Sequence, residues 1–346
     1  MHQNLPSSPD SEALVLKAVQ HLKGILSEVF NYTEKESAVI VYDTGSLISN
    51  IVTEAYRRAL PEAVFVDFNQ QTPDTIRKIL ASLQPSDFVA LVQSTNFRLD
   101  AFRIRVELFK RKIKVIEHPH LSRMTDEEAP FYIDSLAYDA DYYRGTGRAL
   151  KRKIDSAASG VLDSGGELLV YGSPFESAKL NIGDYSEMPN IGGQFPIGEV
   201  FTEAADLRAV NGRVRIFVFS DITYRINRPQ TPITLIIEQG QVVECENSTP
   251  DFDQILALIR DGEGVVWVRE LGFGLNRAFT TTRTVSDTGT YERMCGVHLS
   301  LGAKHGMYGK PGFKRGDGKF HVDVFADTHS FTLGDEVVYR DGAWIV

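Results

Sequence analysis

The first half of the chain alternates two apolar patterns. Residues 11–31 carry apolar positions at helical spacing: Leu14, Leu16, Val19, Leu22, Ile25, Leu26 and Val29. AVIVYD (38–43) is instead a short continuous apolar run, which predicts a buried strand, and 47–60 returns to helical spacing. The strand pattern recurs at 63–68, 88–94 and 113–118, with helix patterns at 72–83 and 97–112 between. Strands alternating with helices build parallel βαβ units. Continuous rather than alternating apolar runs mean that both sheet faces are covered. The prediction is an α/β domain, Rossmann-like and mainly parallel. No G-x-G-x-x-G follows the first strand, where the chain reads YDTGSLISN. A bare scaffold therefore fits better than a dinucleotide site.

After a charged, helix-like stretch at 127–158 the pattern changes. Short strand-like runs follow at 167–172, 213–220, 233–240, 241–246, 264–271, 296–302, 320–325 and 336–340. Turn pairs separate several of them: Asn211-Gly212, Gln239-Gly240 and Asp341-Gly342. One clear helix, 251–262, interrupts the series. This predicts a mostly antiparallel β or α+β domain. The Ser- and Gly-rich stretch SGVLDSGGE marks the boundary. The expected domains are 1–162, an α/β scaffold, and 163–346, a metal-binding catalytic domain.

Composition narrows the class. The chain has 346 residues, 42% of them hydrophobic and 24% charged, which suits a globular protein with a sizeable core. The formal net charge of −9 argues against nucleic acid and anionic membranes as partners. Two cysteines, Cys245 and Cys295, cannot build a disulfide framework or a cysteine zinc cluster. No run approaches the ~20 apolar residues of a membrane span, and no signal-peptide pattern opens the chain. The expected compartment is the cytoplasm.

Isolated acids and histidines in apolar or glycine-bounded settings are the chemical signal. Glu199 lies in FPIGEVFTEA, Glu270 in VVWVRELGFGLN, Glu292 and His298 in YERMCGVHLSLG, and His321 and Asp323 in KFHVDVF. His321 and Asp323 are two apart, so a strand aims both at one face. Each alone reads as a half-exposed acid or a satisfied core histidine. Together they are costly to bury unless paired or metal-bound. Imidazole with carboxylate suits divalent first-row ions. Two histidines with several carboxylates exceed the ligand set of one catalytic zinc and suit two ions sharing carboxylates. Gly272 and Gly274, beside Glu270, leave room for a substrate to approach closely.

The segments GEVFTEAADLRAVNGRVRI, ELGFGLN, ERMCGVHLSLG and FHVDV resemble the metal-binding segments of the aminopeptidase T/aminopeptidase S family, the thermophilic-type leucyl metalloaminopeptidases. The resemblance spans most of 167–346. It implies metal ligands Glu199, Glu270, Glu292, His298, His321 and Asp323, two divalent ions (zinc, cobalt or manganese), a homodimer, and a small peptide or small-molecule substrate. Glu270 is then the candidate acid/base, with ligand as its other role. Two departures stand out. Glu292 is one residue further from His298 than the family places it. His305 stands where the family carries a tyrosine that steadies the reacting carbonyl, so His305 becomes a second catalytic candidate.

Three other readings compete. One is a mononuclear non-haem iron dioxygenase of the dihydroxypyridine type, which keeps only two histidines and one carboxylate. Glutamate at both 199 and 270 argues for the hydrolase. Another is a non-peptidase small-molecule or peptide-modifying enzyme on the same metal scaffold. The last is a binding protein with a degenerate site. The loop AKHGMYGKPGFKRGDGK, carrying Lys304, Lys310, Lys314, Arg315 and Lys319, reads as a solvated glycine-rich loop, or else as an anion-binding rim. His118 and His120 read as structural, in a turn around Pro119.

Overall fold

The computed structural model describes residues 9–310 and 318–346. Lys314 and Arg315 of the basic loop lie outside them. The chain divides into two compact units, Met1–Ala140 with Gly183–Ile197, and Asp141–Ile182 with Gly198–Val346.

The first unit is the expected parallel α/β domain. Its strands Ala38–Tyr42, Val64–Asp67, Phe88–Val92 and Lys114–His118 sit within the four apolar runs and pair in parallel. A fifth parallel strand, Ile191–Gln194, joins the edge beside Lys114–His118. Its sequence, IGGQ, has no apolar run to announce it. The helices start where the side chains permit. Ser46 and Ser49 exchange side-chain and backbone bonds at the head of Leu47–Ala59. Thr72 caps Pro73–Ser82, with proline in the first turn. The expected helix at 97–112 shortens to Ile104–Lys110. Val39, Val41, Leu91 and Val115 fill the core against Ile76, Leu80, Ile104 and Leu108.

The second unit is a large antiparallel sheet, fourteen-stranded among the described residues. Its working centre runs in the order Val210–Ser220, Val322–Ala326, Gly296–Leu301, Val268–Gly274, Glu199–Glu203. The turns at Gln239-Gly240 and Asp341-Gly342 form with positive φ at both residues, as tight hairpins need. Asn211-Gly212 does not turn. It lies inside the long strand, with Gly212 opposite Leu169 on one side and Ile237 on the other. The helix Pro250–Glu263 is capped by Thr249. No helix among the described residues is long and apolar enough to cross a membrane.

Candidate metal centre

Strand register builds the site. Directly opposed residues of an antiparallel pair point to the same face, and alternate residues along a strand do likewise. Gly274 is opposite Glu199, and Gly272 is opposite both Phe201 and His298. Asp323 is opposite Ser300, two residues from His298. Glu270, two before Gly272, sits in a local register shift and donates its N–H to Ser300 Oγ at 2.9 Å. Glu199, Glu270, His298 and Asp323 therefore share one face. The other face carries Val200, Leu271, Phe273, Val297, Leu299 and Val324, all fully buried. That apolar face anchors the sheet and fixes the register that gathers the acids.

The two glycines beside Glu270 serve the protein's own side chains and backbone. A Cβ on Gly272 would stand 2.1 Å from His298 Cε1 and Nε2, so the missing side chain is the slot for that ring. A Cβ on Gly274 would stand 1.9 Å from the Met294 carbonyl oxygen. The absent side chain there lets the Arg293–Met294 backbone lie against the strand, where Asn276 N–H donates to Arg293 O at 2.8 Å. The expected opening for substrate at Gly272 is thus filled by His298.

His298 Nε2 lies 3.4 Å from Glu199 Oε1 and 3.7 Å from Glu270 Oε1. One ligand atom from each of these three residues lies within 4.8 Å of the others. His305 Nε2 lies 3.1 Å from Glu270 Oε2, and His321 Nε2 lies 3.1 Å from Asp323 Oδ1. Glu292 follows the one-turn helix Thr288–Tyr291, which Asp287 caps, and its Oε2 lies 2.6 Å from Arg293 Nη1. Of the six expected ligands, Glu199, Glu270 and His298 form the one close group; His305 meets Glu270 at its other oxygen, His321 pairs with Asp323, and Glu292 pairs with Arg293.

Two polar atoms here, Glu199 Oε1 and His298 Nε2, are buried without hydrogen-bond partners, while His305 Nε2 and Asp323 Oδ1 face Glu270 and His321 respectively, each at 3.1 Å. Buried polar atoms are ordinarily satisfied, so a pair of orphans on a convergent acid and imidazole fits a cation. His321 adds a second sign. Its Nδ1 lies 3.1 Å from the Lys304 carbonyl oxygen. Donation to that oxygen leaves Nε2, which faces Asp323 Oδ1 at 3.1 Å, as the nitrogen a metal ion would take in place of its proton, the arrangement usual for a metal-bound histidine. His305 is set the other way. Its Nδ1 accepts from Met307 N–H at 3.2 Å, so the neutral ring carries its proton on Nε2, toward Glu270.

The charges are interdependent. Burial raises Glu199 above the usual carboxylate value, against the opposing pull of Arg293 and His298. Burial raises Glu292 as well; Arg293 opposes the rise, and the neighbouring Asp323 and Glu199 carboxylates add to it. On Glu270 burial also pushes upward, but contacts from His298 and His305 and the charge of His321 outweigh it and hold the carboxyl low. His298 and His321 are raised despite burial, because carboxylates face them.

Sequence reading missed Arg293, which lies among these acids, buried at 6% exposure. Its neighbour Glu292 makes it look like half of a solvated charge pair. Also missed was a buried ionic group nearby, in which Arg269 pairs with Glu203. Lys310, expected in a solvated loop or an anion-binding rim, is buried instead. It donates to Glu176 at 2.5 Å and to the Ala204 carbonyl at 2.6 Å. Lys304 and Lys319 are exposed. His118, the structural candidate, is a core residue bonded to two tyrosine hydroxyls.

The fold has a known counterpart. The chain is similar to wild-type AmpT from Thermus thermophilus, with a TM-score of 0.57 at 13% identity, over 96% of this chain and 99% of that one. That likeness is one of fold. No protein-family model matches the sequence, and no curated protein matches it either.

Proposed function

We propose that the chain is a metal-dependent amide hydrolase of the aminopeptidase type. The observation that carries this reading is the convergence of ligand atoms from Glu199, Glu270 and His298 within 4.8 Å of one another, with Glu199 Oε1 and His298 Nε2 buried and unpaired. The whole-chain likeness to AmpT, an aminopeptidase T, and the family motifs in the sequence support it. A divalent ion, when bound, supplies Lewis acidity to a substrate carbonyl and acidifies a water. Glu199, Glu270 and His298 would hold it, with His321 and Asp323 as further donors; Glu292, the sixth candidate, is engaged by Arg293 at 2.6 Å. Zinc, cobalt and manganese all suit this oxygen and imidazole set.

The chain's own groups supply the proton path. Glu270 has one oxygen toward the ligand cluster and the other toward His305 Nε2. It accepts the proton of the attacking water and returns it to the leaving amine. His305 aims its one ring proton, on Nε2, at Glu270 and holds that carboxylate ionised; it would steady the oxygen of the reacting carbonyl, in the tyrosine's stead, only by turning that proton from Glu270 to the substrate. The substrate class is a small peptide or peptide-like amide, and the assembly a cytoplasmic homodimer, which sedimentation of the purified protein checks.

The deciding experiment is release of p-nitroaniline from a panel of aminoacyl anilides. The expected result is turnover that a chelator abolishes and manganese, cobalt or zinc restores. A different outcome has its own chemical basis, because His298, His321 and Asp323 also make a two-histidine, one-carboxylate set. One iron per chain with oxygen-dependent turnover of a dihydroxypyridine replaces the hydrolase reading. Metal binding without turnover across the panel leaves a non-peptidase enzyme on the same scaffold.

A further inference from the structure

The number of ions the cluster takes rests on the metal reading above, and Arg293 bears on it directly. Its Nη1 lies 2.9 Å from Glu199 Oε2 and 2.6 Å from Glu292 Oε2. Glu199 is thus divided. Oε1 is the orphan that faces His298 Nε2 at 3.4 Å, and Oε2 is taken by the guanidinium. In a two-ion site, a shared carboxylate offers its second oxygen to the second ion. Here a guanidinium occupies that place, and it engages Glu292 in the same way.

Arg293 is held there by more than its charge. The short helix ahead of it, capped by Asp287, and the bond from Asn276 N–H to its carbonyl fix its backbone. Gly274 has no side chain to push that backbone away. Guanidinium keeps its charge at any working pH, so this positive group does not leave by deprotonation. A second divalent ion between Glu199 and Glu292 would meet a fixed like charge at contact range in a site removed from water, where repulsion is strong.

We propose that Arg293 takes the place of a second metal ion. The cluster binds one divalent ion, against Glu199 Oε1, Glu270 and His298. Arg293 supplies the other positive charge, neutralising Glu199 Oε2 and Glu292. Of the six donors, Glu199, Glu270 and His298 then face the ion, Glu292 faces Arg293, and His321 and Asp323 pair with each other at 3.1 Å. Arg293 is on this account a positioning residue for Glu199.

The test is metal stoichiometry, independent of turnover. The full-length protein is stripped with chelator, loaded with excess manganese, desalted and assayed for metal, and its electron paramagnetic resonance spectrum is recorded. The expected result is one manganese per chain with the six-line spectrum of an isolated ion. Arg293→Met frees Glu199 Oε2 and Glu292, and should hold two manganese per chain with an exchange-coupled spectrum. Two coupled ions in the unaltered protein overturn the proposal. One ion in both proteins also overturns it, because Arg293 is then not what limits the count. No retained manganese in the unaltered protein refutes the metal reading itself. If Arg293→Met does not fold by circular dichroism, Arg293→Lys serves in its place: it keeps the charge and should hold one ion, and two ions there overturn the proposal.

Discussion

Two histidines lie fully enclosed on strands of the two units, and they are held in opposite ways. His118 ends a strand of the parallel sheet and is 0% exposed. Tyr56 hydroxyl lies 2.9 Å from its Nε2, and Tyr132 hydroxyl 2.8 Å from its Nδ1. Both ring nitrogens are satisfied by neutral partners, and burial drives its pKa down to about 3. His298, 1% exposed in the antiparallel sheet, keeps an orphaned Nε2 among carboxylates, and its pKa rises. Burial is the same in both cases, so burial does not tell a ligand from a core residue. The partners do. Neutral hydroxyls close a structural site, and carboxylates with unspent lone pairs leave one open for a cation.

The widest separation should come from the open site. Glu270→Gln should lower anilide turnover by about 10²–10⁴-fold, and His298→Ala should abolish stoichiometric manganese binding. His118→Ala should change neither once folded. If it strips the metal as His298→Ala does, the contrast between the two histidines fails. The next effect belongs to the closed site. His118→Ala leaves a cavity and removes the ring that Tyr56 and Tyr132 hydroxyls bond, and should cost about 2–4 kcal/mol in urea unfolding. A loss no larger than a surface substitution's would mean that the two tyrosine contacts contribute nothing.

A smaller effect tests how the open site is shaped. Gly272→Ala puts a methyl into the His298 ring. It should weaken manganese affinity by about 10–100-fold, as loss of a ligand's supporting contacts does. Unchanged affinity by calorimetry would show that His298 is not seated in that slot. The smallest effect is one of pH. An unfolded histidine titrates near ~6.5, well above the folded value of about 3 for His118. Between those values the unfolded chain binds a proton that the folded chain refuses. His118 therefore contributes full stability above the unfolded value, and loses it as pH falls through this window, by at most ~1.4 kcal/mol per pH unit. The slope of unfolding free energy against pH should be shallower in His118→Gln than in the unaltered protein. Parallel slopes would mean that His118 is protonated in the fold.

Much of this contrast was legible in the chain itself. Continuous apolar runs marked the parallel strands, because strands covered on both faces cannot alternate. Isolated acids in apolar strands marked the candidate metal centre, because buried charge demands compensation, and of those candidates the structure gathers Glu199, Glu270 and His298. The strand Ile191–Gln194 escaped, since two glycines carry no apolar signal and only the neighbouring strand edge recruits it. Asn211-Gly212 misled, since a turn pair inside a long strand looks locally the same as one in a hairpin. Arg293 and Lys310 escaped for one shared reason. A cation in a polar stretch reads as solvated, and only distant acids, Glu199 for one and Glu176 for the other, make it a buried partner.

The sequence by itself determined the two kinds of sheet and the residues with the chemistry to bind a divalent ion. Both are properties of local pattern and of side-chain type. Only the tertiary structure decided which oxygen of Glu199 faces His298 and which faces Arg293, and that Gly272 makes room for a ring of the protein. Those choices depend on strand register across the sheet, set by the apolar face opposite the acids, and no stretch of sequence read alone contains it.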